Sequence, residues 1–196
     1  MTICRNWAAT VLLMALMAAC GDQPAHFNAT DITGANYGAA LNLPDTIGKT
    51  RTIADFSGKV VAVFFGYTQC PDACPTSLAL MADVTQKLGE DGKRLQVVLV
   101  SVDPERDTPQ LLGDYVTAFN PGFIALRGTP EQTRAIAKAF SVYYEKRGDI
   151  AGGKYTMDHT AGIYLFDPKG RARLFVRYGE TPENLLADIK LLLAGK

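Results

Sequence analysis

The chain predicts an α/β fold, a central mixed β-sheet flanked by helices, and three observations carry that prediction. Lys59 to Phe65 (KVVAVFF), Leu95 to Val102 and Ala161 to Phe166 are short, nearly continuous apolar runs rich in β-branched residues. Such runs mark strands covered on both faces. Segments of helical spacing follow or separate them, at Thr76 to Leu88, Thr108 to Phe119, Pro130 to Phe140 and Thr181 to Leu193. Two of these helices carry start signals, Thr129 before Pro130 and Glu131, and Thr181 before Pro182 and Glu183, the arrangement that caps free backbone N–H groups. Finally, Arg171 to Tyr178 stands behind the turn residues Asp167-Pro168-Lys169-Gly170 and reads as a hairpin partner of the third apolar run.

Taken in order, the chain opens with one basic residue, Arg5, then the apolar stretch Trp7 to Ala19 and small residues before Cys20. This reads as an export signal spanning 1–19, because the stretch is shorter than the about 20 residues that cross a bilayer. Met17-Ala18-Ala19-Cys20, followed by Gly21, resembles a bacterial lipobox, with Met17 where leucine is usual. That resemblance implies lipidation of Cys20 and a membrane attachment through the lipid. Asp22 resembles the signal that retains lipoproteins on the inner membrane, so the expected address is the cell envelope, on the periplasmic face of the inner membrane. Residues 20–38 carry Gly, Asn, Asp, Thr and Pro without clear period and read as a flexible tether. Residues 39–196 then form one domain.

Charge excludes one class of partner. The chain has 20 basic and 20 acidic side chains, and removing Arg5 with the leader leaves one more acid than base. No basic tract stands out, so no nucleic acid is expected.

The strand, cysteine loop, helix, strand order resembles the thioredoxin fold. Chemistry in open α/β sheets sits at the carboxyl ends of strands. Cys70 comes just after the first apolar run, in Gly66-Tyr67-Thr68-Gln69-Cys70-Pro71-Asp72-Ala73-Cys74-Pro75. Cysteines four residues apart share one face if the segment begins a helix, so both sulfurs can meet one soft metal ion or close on each other. A helix N-terminus also favours the thiolate. A disulfide here would close only a very short loop and restrain the unfolded chain little, which disfavours a purely structural bridge. The pair is a metal site, a redox site, or both.

A third donor separates a metal site from a plain dithiol, and histidine is the natural candidate. The chain has two, His26 in the tether and His159 in Asp158-His159-Thr160, just before the third apolar run. His159 is the candidate ligand, and His26, unanchored, is read as incidental. Asp158 is a candidate for orienting the imidazole through an outer hydrogen bond. The Asp103-Pro104 and Asp107-Thr108-Pro109 cluster reads as a strand end that caps the next helix. Tyr67 and Asp72 flank the sulfurs as tuning or loop-surface residues, and Tyr143-Tyr144 reads as strand and core.

GYTQCPDACPTSL (66–78), SVDPERDTP (101–109) and YTMDHTAGIYLFDPKGR (155–171) closely resemble the Sco/SenC family of copper proteins. The resemblance runs from about Asn42 through the C-terminal helix. It implies a thioredoxin-like fold in which Cys70, Cys74 and His159 bind copper, as Cu(I), Cu(II) or both. It further implies a metallochaperone that assists assembly of the dinuclear copper site in subunit II of cytochrome c oxidase, its partner, alongside other periplasmic copper carriers or thiol reductants.

The residues themselves are compatible with this: two thiolates and a neutral imidazole suit Cu(I) and an open site suits release, whereas a structural zinc site has four protein ligands. The alternative is a thiol-disulfide oxidoreductase in which Cys70 and Cys74 cycle to reduce the target's cysteines before metallation, and His159 is dispensable. A thiol peroxidase is disfavoured because that family needs threonine three places before its cysteine, where Tyr67 stands. Thioredoxin itself has two residues between its cysteines, and the extra residue here widens the loop.

Overall fold

A computed structural model of the chain describes residues 26–196. The leader at 1–19 and Cys20 lie outside the described residues. Among the described residues there are ten strands and four α-helices. The strands are β1 (Thr30–Asp31), β2 (Leu43–Pro44), β3 (Thr50–Arg51), β4 (Val60–Gly66), β5 (Leu95–Ser101), β6 (Ile124–Leu126), β7 (Tyr144–Asp149), β8 (Lys154–His159), β9 (Gly162–Phe166) and β10 (Ala172–Arg177). The helices are α1 (Ala73–Lys87), α2 (Pro109–Thr117), α3 (Pro130–Ala139) and α4 (Pro182–Leu193).

Six strands form one sheet in the order β1-β10-β9-β4-β5-β6. β4, β5 and β6 are parallel, and β9, β10 and β1 add antiparallel partners, so the expected mixed sheet is the one observed. Every residue of β4 and β5 is buried, which is why these runs lack the apolar-polar alternation of a half-exposed strand. Three of the four helices start where threonine caps direct. Thr108, Thr129 and Thr181 each accept a backbone N–H from the following turn, and each is followed by proline. The core beside the sheet is aromatic, with Phe65, Phe140, Tyr164 and Tyr37 packed mostly edge to face.

One consequence of this topology builds the site. β9 is antiparallel to β4, with Phe64 opposite Ile163, so the end at which β4 exits is the end at which β9 enters. Gly66 also lies opposite Ser101 of parallel β5. The loop after β4, the loop after β5 and the approach to β9 therefore share one edge of the sheet.

The structure departs from expectation in four places. The expected tether to residue 38 is shortened, because β1 pairs with β10 and the buried carboxylate of Asp188 on α4 accepts the backbone N–H groups of Asn28 and Ala29, each at 2.9 Å. α1 begins at Ala73, ahead of the expected Thr76. β7 and β8 form a separate two-stranded hairpin that polar residues conceal in the sequence. Tyr143 is no core residue, being 55% exposed, while its neighbour Tyr144 is half-buried in β7. No helix among the described residues is long and apolar enough to cross a membrane.

Candidate metal centre

Cys70 sits in the loop between β4 and α1, its backbone N–H bonded to the Tyr67 carbonyl, and Cys74 sits in the first turn of α1. The two are not stacked on one helix face, as the spacing alone suggests, because the helix starts after Cys70. A turn folds Cys70 back so that its sulfur accepts the Cys74 backbone N–H at 3.4 Å. Cys74 is buried, its sulfur pressed against the end of β4 at Gly66. A Cβ on Gly66 would lie 2.6 Å from that sulfur, closer than two such atoms approach, so only glycine leaves room.

His159, the last residue of β8, brings Nε2 to 3.6 Å from Cys74 Sγ. The two sulfurs and one imidazole nitrogen all lie within 4.8 Å of one another. His159 Nδ1 lies 3.2 Å from the Thr160 carbonyl, which can only accept, so that contact places the ring proton on Nδ1 and leaves the Nε2 lone pair free for a metal. His26 is exposed and takes no part in the cluster.

The electrostatics divide the sulfurs. The Cys74 thiol donates to Cys70 and, with the backbone N–H groups of Asp72 and Cys74 adding to it against the opposing effect of burial, lowers Cys70 to about 4. The same hydrogen bond and deep burial push Cys74 above the ordinary thiol range. Metal-free and reduced, the pair is a half-buried thiolate at Cys70 held by a buried thiol at Cys74. An open cleft of about 380 Å³, lined by Cys70, Pro71, Thr156, Met157 and His159 among others, gives access.

The walls differ from the sequence reading in two respects. Asp158 does not orient the imidazole. Neighbouring strand residues point to opposite faces, and Asp158 pairs with Arg147 at 3.0 Å while His159 turns inward to the Thr160 carbonyl. Tyr67 is not loop surface but is 1% exposed, its hydroxyl accepting the Met157 N–H and its ring edge-on to the imidazole at 5.9 Å between centroids. Burial raises its phenol.

Asp103 and Asp107 prove to be buried braces. Asp107 accepts Thr68 N–H at 3.1 Å, the Thr68 hydroxyl at 2.6 Å and the Ser101 hydroxyl at 2.6 Å, which pins the cysteine loop to the end of β5. Burial nonetheless raises its carboxyl above the usual range. Asp103 accepts from Arg106 and from the Tyr155 hydroxyl of β8. Helix α2 is capped by the neighbouring Thr108. Gly66 and Arg106 stand inside the quoted motifs, but nothing in their spacing reveals their roles.

Fold and site together define a thioredoxin-like domain carrying an open, sulfur-rich metal centre of two cysteines and one histidine. A family model for SCO1/SenC matches residues 29–194, and the chain belongs to that family. Among relatives, it is 31% identical over 154 residues to a SCO2-like protein of Rickettsia felis, covering 78% of this chain and 75% of that protein. It is 35% identical over 136 residues to the mitochondrial protein SCO2 of Saccharomyces cerevisiae, covering 68% of this chain but only 45% of that longer protein. The structure of ScoI from Bradyrhizobium japonicum, solved with copper bound, is 40% identical, superposes with a TM-score of 0.70 and is covered to 96%, against 78% of this chain.

Proposed function

We propose that this chain binds one copper ion through Cys70 Sγ, Cys74 Sγ and His159 Nε2, and delivers it to the dinuclear copper site of subunit II of cytochrome c oxidase during oxidase assembly. The observation that carries the reading is the convergence of two sulfurs and a free imidazole lone pair within 4.8 Å at the mouth of an open cleft. Thiolate and imidazole donors suit a soft ion such as Cu(I). Three protein donors rather than four suit cargo that leaves, since a recipient's cysteine can replace one donor at a time. Membership of the SCO1/SenC family and the copper-loaded ScoI relative support the assignment. Lipid anchoring at Cys20, on the outer face of the inner membrane, belongs to the same proposal. It rests on the leader and on Met17-Ala18-Ala19-Cys20, and incorporation of labelled palmitate, lost in Cys20→Ala, tests it.

The test of copper carriage is a Cu(I) titration of the reduced and the oxidised protein, followed by mixing with apo subunit II. One tightly held Cu(I) per reduced chain, none per oxidised chain, and transfer on mixing are expected, because thiolates are the ligands. Equal binding by the oxidised protein would defeat the reading.

A second reading is favoured by the sulfur electrostatics. A half-exposed Cys70 thiolate beside a protonated Cys74 is the arrangement of a dithiol reductant. Cys70 would attack one sulfur of a target disulfide to form a mixed disulfide and release the target's other sulfur as a thiolate. Cys74, giving up its proton to that thiolate, would then displace the second target sulfur. That second sulfur leaves as a thiolate and takes its proton from water, so the target ends as a dithiol and the pair as a disulfide. This activity needs no imidazole, which separates it from copper carriage.

A further inference from the structure

We propose that Arg106 is a positioning residue of the metal centre, a side chain that ties the β7–β8 hairpin, and His159 with it, to both the cysteine loop and the loop after β5. This rests on the copper reading only for what the ring is positioned to do. His159 ends a two-stranded hairpin outside the main sheet, so the hydrogen bonds of that sheet do not hold it. Something else must set the ring beside the sulfurs.

Arg106 reaches all three parts of the site. Its Nε donates to Asp103 in the loop after β5, and its Nη1 donates to Gln69 Oε1 at 3.0 Å, one residue before Cys70. The same Nη1 donates to the Tyr155 carbonyl on β8 at 2.8 Å, and the guanidinium carbon stacks 3.6 Å from the centroid of the Tyr155 ring. Asp103 closes the loop by accepting the Tyr155 hydroxyl at 2.9 Å. Nη2 is buried without a partner among the described residues. The side chain therefore holds this place at a cost to its own solvation, as a part fixed by what it joins. A planar fork that both stacks and donates is what the site uses, so a lysine, a point charge without the fork, is no substitute.

A control separates positioning from general stability. Arg127 also braces this region, donating to the Asp107 and Pro104 carbonyls at 2.7 Å each, and neither of these bonds reaches the hairpin.

The experiment uses metal-free, reduced protein. The readout is the nuclear Overhauser contact between the Tyr67 and His159 rings, whose centroids are 5.9 Å apart, followed by Cu(I) affinity measured in competition with a chelator. Arg106→Met and Arg106→Lys are expected to lose the ring contact and about tenfold or more in Cu(I) affinity, the scale of an outer-sphere support. Arg127→Met is expected to melt earlier yet keep the ring contact. Should Arg106→Met fail to fold, Tyr155→Leu removes the stacking face and is expected to lose the same contact. Retention of the contact in both Arg106→Lys and Tyr155→Leu, or its equal loss in Arg127→Met, overturns the proposal. A wild type that binds no Cu(I), with a ring contact that still depends on Arg106, overturns the copper reading and supports the positioning role.

Discussion

The Tyr67 hydroxyl accepts the backbone N–H of Met157 at 3.0 Å, a bond that crosses from the cysteine loop to the strand that ends in His159. Both residues are buried, at 1% and 6% exposure, so no water can replace the acceptor. Tyr67→Phe keeps the ring against the imidazole and strands one buried N–H. The expected cost is about 1–3 kcal/mol in urea unfolding, with a weaker Cu(I) site, because the strand bearing His159 loses a tie. Unchanged stability would mean that Met157 finds another partner.

His159→Ala removes the only imidazole within reach of the sulfurs. Cu(I) affinity is expected to fall by at least about tenfold, as loss of a direct donor should cost no less than loss of an outer-sphere partner. Reduction of a model disulfide by Cys70 and Cys74 should continue at a similar rate. Copper retention equal to wild type would favour the oxidoreductase reading over the chaperone.

Gly66→Ala tests the packing that places Cys74. The added Cβ would stand 2.6 Å from Cys74 Sγ and 3.2 Å from a Leu99 methyl, so the sulfur must move or β4 must shift. A loss of about 1–3 kcal/mol is expected, the usual cost of overpacking, with Cu(I) affinity reduced through the displaced donor. Calorimetric melting and copper competition on the same sample check both.

The parts legible in the sequence are those whose signal is local. β4, β5 and β9 are continuous apolar runs, and the threonine-proline caps mark α2, α3 and α4 within a residue or two. The donor set is legible for a different reason, that sulfur and imidazole are scarce in this chain and chemistry has few alternatives. The β7–β8 hairpin is not legible, because Tyr144-Glu145-Lys146-Arg147-Gly148-Asp149 has no apolar period and the hairpin buries little beyond Tyr155 and Met157. β6 spans only Ile124–Leu126, too short for a period to declare itself. Asp158 shows the limit of adjacency, since a neighbour in a strand faces the other way and here pairs with Arg147. Gly66 and Arg106 act through contacts across 8 and 49 residues of chain, to Cys74 and Tyr155, which no local pattern records.

Asp167 gives a pH dependence of stability away from the metal centre. Burial alone would raise its carboxyl, but hydrogen bonds from the Arg171 side chain and from the backbone N–H groups of Arg171 and Lys169 outweigh that and hold it below the usual range. A carboxyl lowered in the folded state stabilises the fold above its unfolded pKa, and that contribution is lost as pH falls through the folded pKa. Asp167→Asn should cost about 1.5–3 kcal/mol at neutral pH, the scale of hydrogen bonds to a charged group, and should unfold with a shallower acid dependence than wild type. Parallel acid curves for the two proteins would show that the carboxylate charge at this turn contributes nothing.

The last prediction concerns the nucleophile. Cys70 is lowered to about 4, first by the thiol of Cys74 and then by backbone N–H groups at the start of α1. In the reduced, metal-free protein Cys70 is therefore a thiolate at neutral pH and remains one well below it. Alkylation of Cys70 by iodoacetamide should run at a nearly constant rate from neutral pH down to about 5 and fall only below that, whereas an ordinary thiol loses tenfold in rate for each pH unit throughout this range. Cys74→Ala removes the largest contribution, so the alkylation profile should move toward higher pH, while the backbone donors keep it short of an unperturbed cysteine. Cys74 itself, buried and protonated, should resist the reagent until the protein unfolds. A Cys70 profile that rises through pH 8 in the native protein would remove the electrostatic basis for the reductant reading and leave copper binding to stand on geometry alone.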